Sequence, residues 1–221
     1  MTAAHFDFAA LSPRDRYKLI IGTVVPRPIA LVTTVDAEGR INAAPFSFFN
    51  ALTADPPILA LGVENHADMS FKDTAANIRR TEEFTVNIVD DAMAEAMNIC
   101  AIGFAPGVDE LARAGLTAVP GHHVASPRIA EAPAAFECRR HMTLELGRSR
   151  EIILGLVQGL FLREGLADER LHVDQRALDA IGRMGGQGYA TTRDLYDIAT
   201  PSPEAFEADP ASARRRTAHR K

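Results

Sequence analysis

From Pro28 to Val35 the chain reads PIALVTTV, an unbroken run of apolar and β-branched residues flanked by turn formers. Such a run is too short for a buried helix and suits a strand covered on both faces. Asp36-Ala37-Glu38-Gly39 supplies a turn with glycine where a positive φ is expected. Arg40 to Phe49 then returns as the antiparallel partner, with Pro45 forcing a bulge or an edge position. Pro57 to Val63 makes a third strand. Glu83 to Val89 alternates, with Phe84, Val86 and Ile88 on one face and Thr85 and Asn87 on the other.

The helical signals between these runs are short. Lys72 to Thr81 has helical spacing with Ser70 or Asp73 as cap, Asp90-Asp91 opens a helix to about Ile102, and Asp109 to Ala114 ends at Gly115. Phe136 to Glu145 and Glu151 to Arg163 read as long strands. Leu171 to Val173 reads as a short one, followed by a helix around Gln175 to Ile181. Strand and helix do not alternate regularly, so the expected fold is mainly β. It is a closed or nearly closed antiparallel barrel, Greek-key-like, with short inserted and flanking helices.

Residues 1–200 are expected to form one domain, and residues 201–221 a disordered polar and basic tail, because Pro201 to Ala213 offers little to a core and Arg214 to Lys221 is strongly basic. A formal net charge of −5 over 221 residues gives no general pull toward nucleic acid or an anionic membrane. The longest apolar run, Ile152 to Leu162, falls short of the ~20 residues of a membrane helix. With no leader pattern and only Cys100 and Cys138, outside any metal or CxxC spacing, a reducing cytoplasm is the expected compartment.

Several chemistries lack their signatures. No GxGxxG follows a strand, and there is no P-loop, HExxH or GxSxG. Gly182 to Gly188 is glycine-rich but reads as a turn after a helix. His122-His123 reads as a surface loop pair, and His66, His141 and His172 stand apart, so no metal site is expected. A polar set does gather between Arg27 and Thr74: Arg27, Thr33, Thr34, Asn42, Ser47, Asn50, Lys72, Asp73 and Thr74. Hydroxyls, a helix start and one or two cations are what a phosphate needs. Taken singly, the same threonines equally serve their own sheet and the lysine equally serves solvent.

PRPIALVTT (Pro26 to Thr34), NAAPFSFFN (Asn42 to Asn50), the DPP of Asp55 to Pro57 and KDTAANI (Lys72 to Ile78) form an ordered series. EFTVNIV, DELARAGLT, PRIAEAPAAFEC and ALDAIGRMGGQGY (Ala177 to Tyr189) continue it. Over roughly residues 15–198 this series resembles the flavin reductase-like, FMN-binding split-barrel family, in the subgroup of flavoredoxin and the nitrilotriacetate monooxygenase reductase component. The resemblance implies an FMN site. Thr33 and Thr34 would end the first barrel strand beside the phosphate and ribityl chain. Asn42 and Ala44-Pro45-Phe46-Ser47 would run along the flavin, with Asn50 near by. Lys72, Asp73 and Thr74 would hold the phosphate. Arg27 would touch the phosphate or a dimer interface, and Arg183 and Tyr189 would approach from the C-terminal segment. Where the family closes with Arg-Pro, this chain has Ala199-Thr200-Pro201.

The resemblance further implies a homodimer and an NADH- or NADPH-dependent FMN reductase, with a flavin-dependent monooxygenase or other redox protein as partner. A non-enzymatic FMN electron carrier is the alternative. No catalytic side chain is expected, because the flavin itself takes the hydride.

Overall fold

The computed structural model describes residues 4–105, 107–147 and 150–219. The first helix, α1 (Pro13–Thr23), starts at a Ser12 cap with proline in its first turn and leads into β1 (Arg27–Pro28) and β2 (Ala30–Val35). The Asp36 carboxylate accepts the Glu38 and Arg40 N–H groups and Gly39 takes φ +77°, so the chain reverses tightly into β3 (Ile41–Phe46). Pairing then runs without a slip from Val35↔Ile41 to Ala30↔Phe46.

Pro45 introduces no bulge. The Ala43 N–H points away from β2, and Pro45, two residues on, would point its own missing N–H the same way, so no ladder bond is lost. Arg40 to Phe49 is nevertheless not one strand. The chain turns at Ser47 and Phe48 and starts β4 (Phe49–Ala54), which pairs with β5 (Pro57–Glu64).

The remaining elements are α2 (Asp73–Thr81), β6 (Glu83–Ile88), a 3₁₀ turn at Asp91–Met93, α3 (Ala94–Ile99), α4 (Glu110–Ala114), β7 (Ala118–Val119) and β8 (Arg128–Ile129). After them come β9 (Ala134–Leu146), β10 (Arg150–Leu162), α5 (Gln175–Leu178), β11 (Ile181–Arg183), β12 (Tyr189–Thr191), β13 (Tyr196–Ile198), α6 (Pro203–Ala208) and β14 (Arg216–Ala218). Seven strands form one antiparallel sheet in the order β3-β2-β6-β9-β10-β5-β4. Its edge strands β3 and β4 are consecutive in the chain, so the edges meet at Ser47-Phe48, where the Gly62 N–H bonds the Phe48 carbonyl at 2.7 Å. This is a split barrel.

Period-two alternation sends Ala30 and Val32 inward to Leu61, Val63, Phe84, Val86 and Ile153. Ile29 and Leu31 point outward to Met93, Met97, Leu111 and Ile129, so β2 is buried on both faces, as its composition predicts. On β6 both faces are buried too: Thr85 donates to the Ser126 carbonyl at 2.8 Å, and Asn87 accepts the Ile129 N–H at 2.8 Å.

Helix α2 packs on β2, β3 and β6 with Thr74, Ala75, Asn77 and Ile78 buried. Its far end is tied to β10, where Arg79 reaches the buried Glu151 at 2.5 Å and stacks on Phe71.

Some local expectations differ from the structure. Neither Ser70 nor Asp73 caps α2. Lys72 occupies the cap position and its side chain bonds no helix N–H. Leu171 sits at φ +64° in a turn that bonds Asp168, so only the isolated bridge Ala167↔Val173 forms there. The helix after Gln175 stops at Leu178, because Asp179 turns left-handed (φ +47°), the Ile181 N–H bonds the Val89 carbonyl, and Gly182 and Arg183 pair with β1. The glycine-rich stretch is a turn, but it links β11 to β12.

The segment after residue 200 is not the featureless tail its composition suggests. Ser202 caps α6, whose first residue is proline, and β14 pairs with β13. Arg220 and Lys221 lie outside the described residues. No helix among the described residues is long and apolar enough to cross a membrane.

Candidate functional site

Beside the free edge of β3 runs a cleft in two lobes. The first, about 250 Å³, is lined by Asn42 to Phe46, by His66, by Lys72, Asp73 and Thr74 at the start of α2, and by Cys100 to Phe104 and Glu110. The second, about 240 Å³, is lined by Tyr17, Ile29, Met97, Asn98, Ser47, Arg183 and Tyr189. Pro45, Phe46 and Ala101 border both lobes, so the two adjoin. Together they fall within the ~300–1,000 Å³ common for small-molecule sites.

Local structure explains the polar character of the first lobe. A helix leaves its first-turn N–H groups without intrahelical partners, and no capping side chain covers them in α2. The half-buried Lys72 stands at that end and forms no ion pair among the described residues, which suits the site to an anion. Asn42 donates to the Thr74 hydroxyl at 3.0 Å and so ties β3 to α2. Behind it, Asn77 donates to Thr34 at 3.0 Å inside the barrel.

The far wall is apolar apart from one carboxylate. Glu110, the first residue of α4, accepts the outward Ala43 N–H at 3.0 Å. Burial, and beyond it the neighbouring Asp73 and Asp109, push its pKa above the ordinary glutamate value despite the opposing bond from Ala43. Burial, with Glu110 and Asp109 near by, drives the Cys100 thiol up to about 12, so this cysteine is no thiolate nucleophile at neutral pH.

Of the residues expected from the sequence, the structure gathers Asn42, Ala44, Pro45, Phe46, Ser47, Lys72, Asp73 and Thr74 on this cleft. Arg183 and Tyr189 face each other across the β11–β12 pair, with the guanidinium 4.5 Å from the ring centre at the second lobe.

Four residues lie elsewhere. Arg27 donates to the Ile21, Val24 and Met184 carbonyls at 2.6, 2.8 and 3.1 Å and reaches Ser47 at 3.4 Å. It clamps α1 to the C-terminal segment and borders the apolar groove beside β4 instead of the cleft, the side of the interface alternative. Thr33 faces the outer layer, donating to the Pro127 carbonyl and accepting from Asn87. Thr34, one residue on, faces the barrel interior behind Asn42. Asn50 accepts the Ala51 N–H on β4 and borders an apolar groove instead.

Glu110, Asn98, Tyr17 and the Cys100 to Phe104 loop were not foreseen as site residues. Only an acidic residue opening the otherwise ordinary α4 hinted at Glu110. His122 and His123 are a loop pair whose backbone N–H groups are both held by buried Glu137. No metal-binding group of side chains occurs among the described residues.

Residues 21–182 match the family described as flavin reductase like domain. The chain belongs to that family. A Deinococcus radiodurans protein is 47% identical over 205 residues, covering 90% of each chain. Among solved structures, Pseudomonas fluorescens 2-nitrobenzoate 2-nitroreductase NbaA is 36% identical with a TM-score of 0.84, covering 90% of this chain and 98% of that one. Nitrilotriacetate monooxygenase component B from Bacillus cereus is 29% identical with a TM-score of 0.86, covering 90% of this chain and 100% of that one.

Proposed function

We propose that this chain binds FMN along the β3 edge and works as an NADH- or NADPH-dependent flavin reductase. The observation that carries the reading is one cleft holding the uncapped start of α2, Lys72 and the unpaired edge of β3. The first lobe suits the phosphate, with the α2 N–H groups, Lys72 and Thr74 as its contacts. Phe46 and Ser47 suit the ring, and the backbone of β3 lies along the cofactor between them. FMN, when bound, supplies the hydride-accepting chemistry. The chain's own residues bind and orient, and no side chain is assigned as a catalytic acid or base. Tyr17, Asn98, Arg183 and Tyr189 border the ring end and would receive the nicotinamide.

The assembly in this reading is a homodimer. A groove of about 550 Å³ lies beside β4, lined by Val24, Phe48, Phe49, Leu146 and Ile152, and Val24 and Leu146 are at least half exposed. Apolar surface of this kind is a usual interaction face, and Ser47 borders both groove and cleft, so a second copy seated there would close the ring end. Reduced flavin would pass to a monooxygenase partner, in line with the likeness to nitrilotriacetate monooxygenase component B. Two buried free cysteines agree with a reducing cytoplasm, and residues 1–200 hold the flavin-binding unit.

A second reading keeps the FMN site but makes a nitroaromatic compound the electron acceptor, favoured by the 36% identity to 2-nitrobenzoate 2-nitroreductase. The test is to record the visible spectrum of the purified protein and follow NADH and NADPH oxidation with added FMN, then with 2-nitrobenzoate. Oxidation with FMN alone supports the reductase. Dependence on the nitro compound supports the second reading. Bound FMN without either activity assigns the protein as a carrier, and no flavin binding ends all three.

A further inference from the structure

Resting on the flavin-binding reading, we infer that Glu110 is a ligand-contacting residue whose Oε1 accepts a hydrogen bond from a hydroxyl of the ribityl chain. Its Oε2 accepts the Ala43 N–H at 3.0 Å, which pins the carboxylate to the strand edge. Apart from the Glu110 N–H itself, no other group among the described residues bonds this carboxylate, and Oε1 is not among the buried unsatisfied atoms, so it can take a donor from the cleft that Glu110 lines.

Position selects the part of the ligand. Asn42 is bonded to Thr74 at the start of α2, while Pro45 and Phe46 border the ring lobe. Ala43, and the carboxylate bound to it, falls between the two. At about 3.3 Å per residue, that places Glu110 beside the middle of a ligand stretched along β3.

Chemistry selects the same part. A carboxylate only accepts hydrogen bonds, and a phosphate has little at neutral pH to donate and would repel it. The ribityl chain offers three hydroxyl donors in a row. Holding one N–H at a strand edge does not by itself require a charge. A half-buried carboxylate with Asp73 and Asp109 as neighbours and no ion pair among the described residues is a costly staple. A donor from the ligand offsets that cost.

The test measures dissociation constants of wild type, Glu110→Ala and Glu110→Gln by flavin fluorescence, for FMN, riboflavin and lumiflavin. Lumiflavin keeps the ring and lacks the hydroxyls. Glu110→Ala is expected to weaken FMN and riboflavin alike, by about ten-fold or more, as for losing a hydrogen bond to a charged group, and to leave lumiflavin unchanged. Glu110→Gln retains an acceptor for Ala43, guards against misfolding of the alanine variant, and is expected to show the same pattern at smaller size. Equal weakening of all three ligands, or of none, overturns the inference and leaves Glu110 as a strand staple. Failure of the wild type to bind any of the three overturns both the inference and the flavin reading.

Discussion

Strands β3 and β4 are the two edges of one sheet, and they solve the same problem in opposite ways. An edge strand exposes unpaired N–H and C=O groups and invites unwanted pairing. At β3 the outward N–H of Ala43 is taken by Glu110, Pro45 has no N–H to offer, and α2, α4 and the Cys100 to Phe104 loop stand around a polar cleft. At β4 most side chains are exposed, and the neighbouring groove is apolar, bordered by Val24, Phe48 and Ile152. In the proposed reading, one edge takes a small ligand and the other a second copy of the chain. Covalent continuity through Ser47-Phe48 keeps the two beside each other, so ligand and second copy would meet at Ser47.

The largest blow to this arrangement is expected at the anchor of α2. Arg79→Met would leave the carboxylate of Glu151, whose side chain is 2% exposed, without its cation. Breaking a buried pair from one side costs about 3–5 kcal/mol, so urea unfolding should show a loss of that order. Glu151→Leu added to Arg79→Met should restore most of it, and failure to do so would assign the loss to the Phe71 contact instead.

On the β4 side, Leu146→Glu places a charge in the groove at a residue that is 50% exposed in the single chain. Folding should survive, while self-association measured by sedimentation should weaken by roughly 30-fold or more, the level of a central interface residue. An unchanged sedimentation profile would detach the groove from any dimer.

On the β3 side, Lys72→Ala should weaken FMN by about ten-fold and leave riboflavin, which lacks the phosphate, nearly unaffected. Equal loss of both would move Lys72 away from the phosphate.

The smallest effect concerns Glu110 in the ligand-free protein. Its raised pKa means the unfolded chain releases this proton at lower pH than the folded chain does. Its contribution to stability is therefore fully present below the ordinary value of 4.5 and is lost as pH rises through the elevated folded value. Glu110→Gln should flatten that part of the stability profile, and an unaltered slope would mean the carboxylate is not desolvated.

Much of the barrel was legible because its strands carry their own signals. PIALVTTV is apolar at every inward and outward position of β2 up to Thr33, and the Asp36 to Gly39 turn is encoded by an aspartate that caps it and a glycine that takes positive φ. The start of β4 was less legible, because Phe46 to Phe49 carries no glycine or proline to mark a turn, and the long-range contact of Phe48 with Gly62, whose N–H bonds the Phe48 carbonyl, is not a local signal. The segment after residue 200 was misjudged on composition, although Ser202-Pro203 is a good helix start and backbone pairing of β14 needs no apolar side chains.

The candidate site divides along the same line. Lys72 to Thr74 and Asn42 to Ser47 are contiguous, so a local motif was enough to find them. Thr33 and Thr34 are also contiguous and belong to such a motif, yet adjacent strand residues point to opposite faces, and neither reaches the cleft. Arg27 carries the charge a phosphate needs, but three carbonyls from α1 and the C-terminal segment had claimed it. Glu110 lies 67 residues from the strand it binds, a distance no local pattern spans.

The sequence by itself determined the strands β2, β5, β6, β9 and β10, the Asp36 to Gly39 turn, the helix start at Lys72 and the family, because each rests on neighbouring residues whose propensities agree. Only the tertiary structure decided which polar groups face the cleft. That outcome depends on which partner reaches a side chain first across the barrel, and a buried donor or acceptor goes to whichever group can satisfy it there.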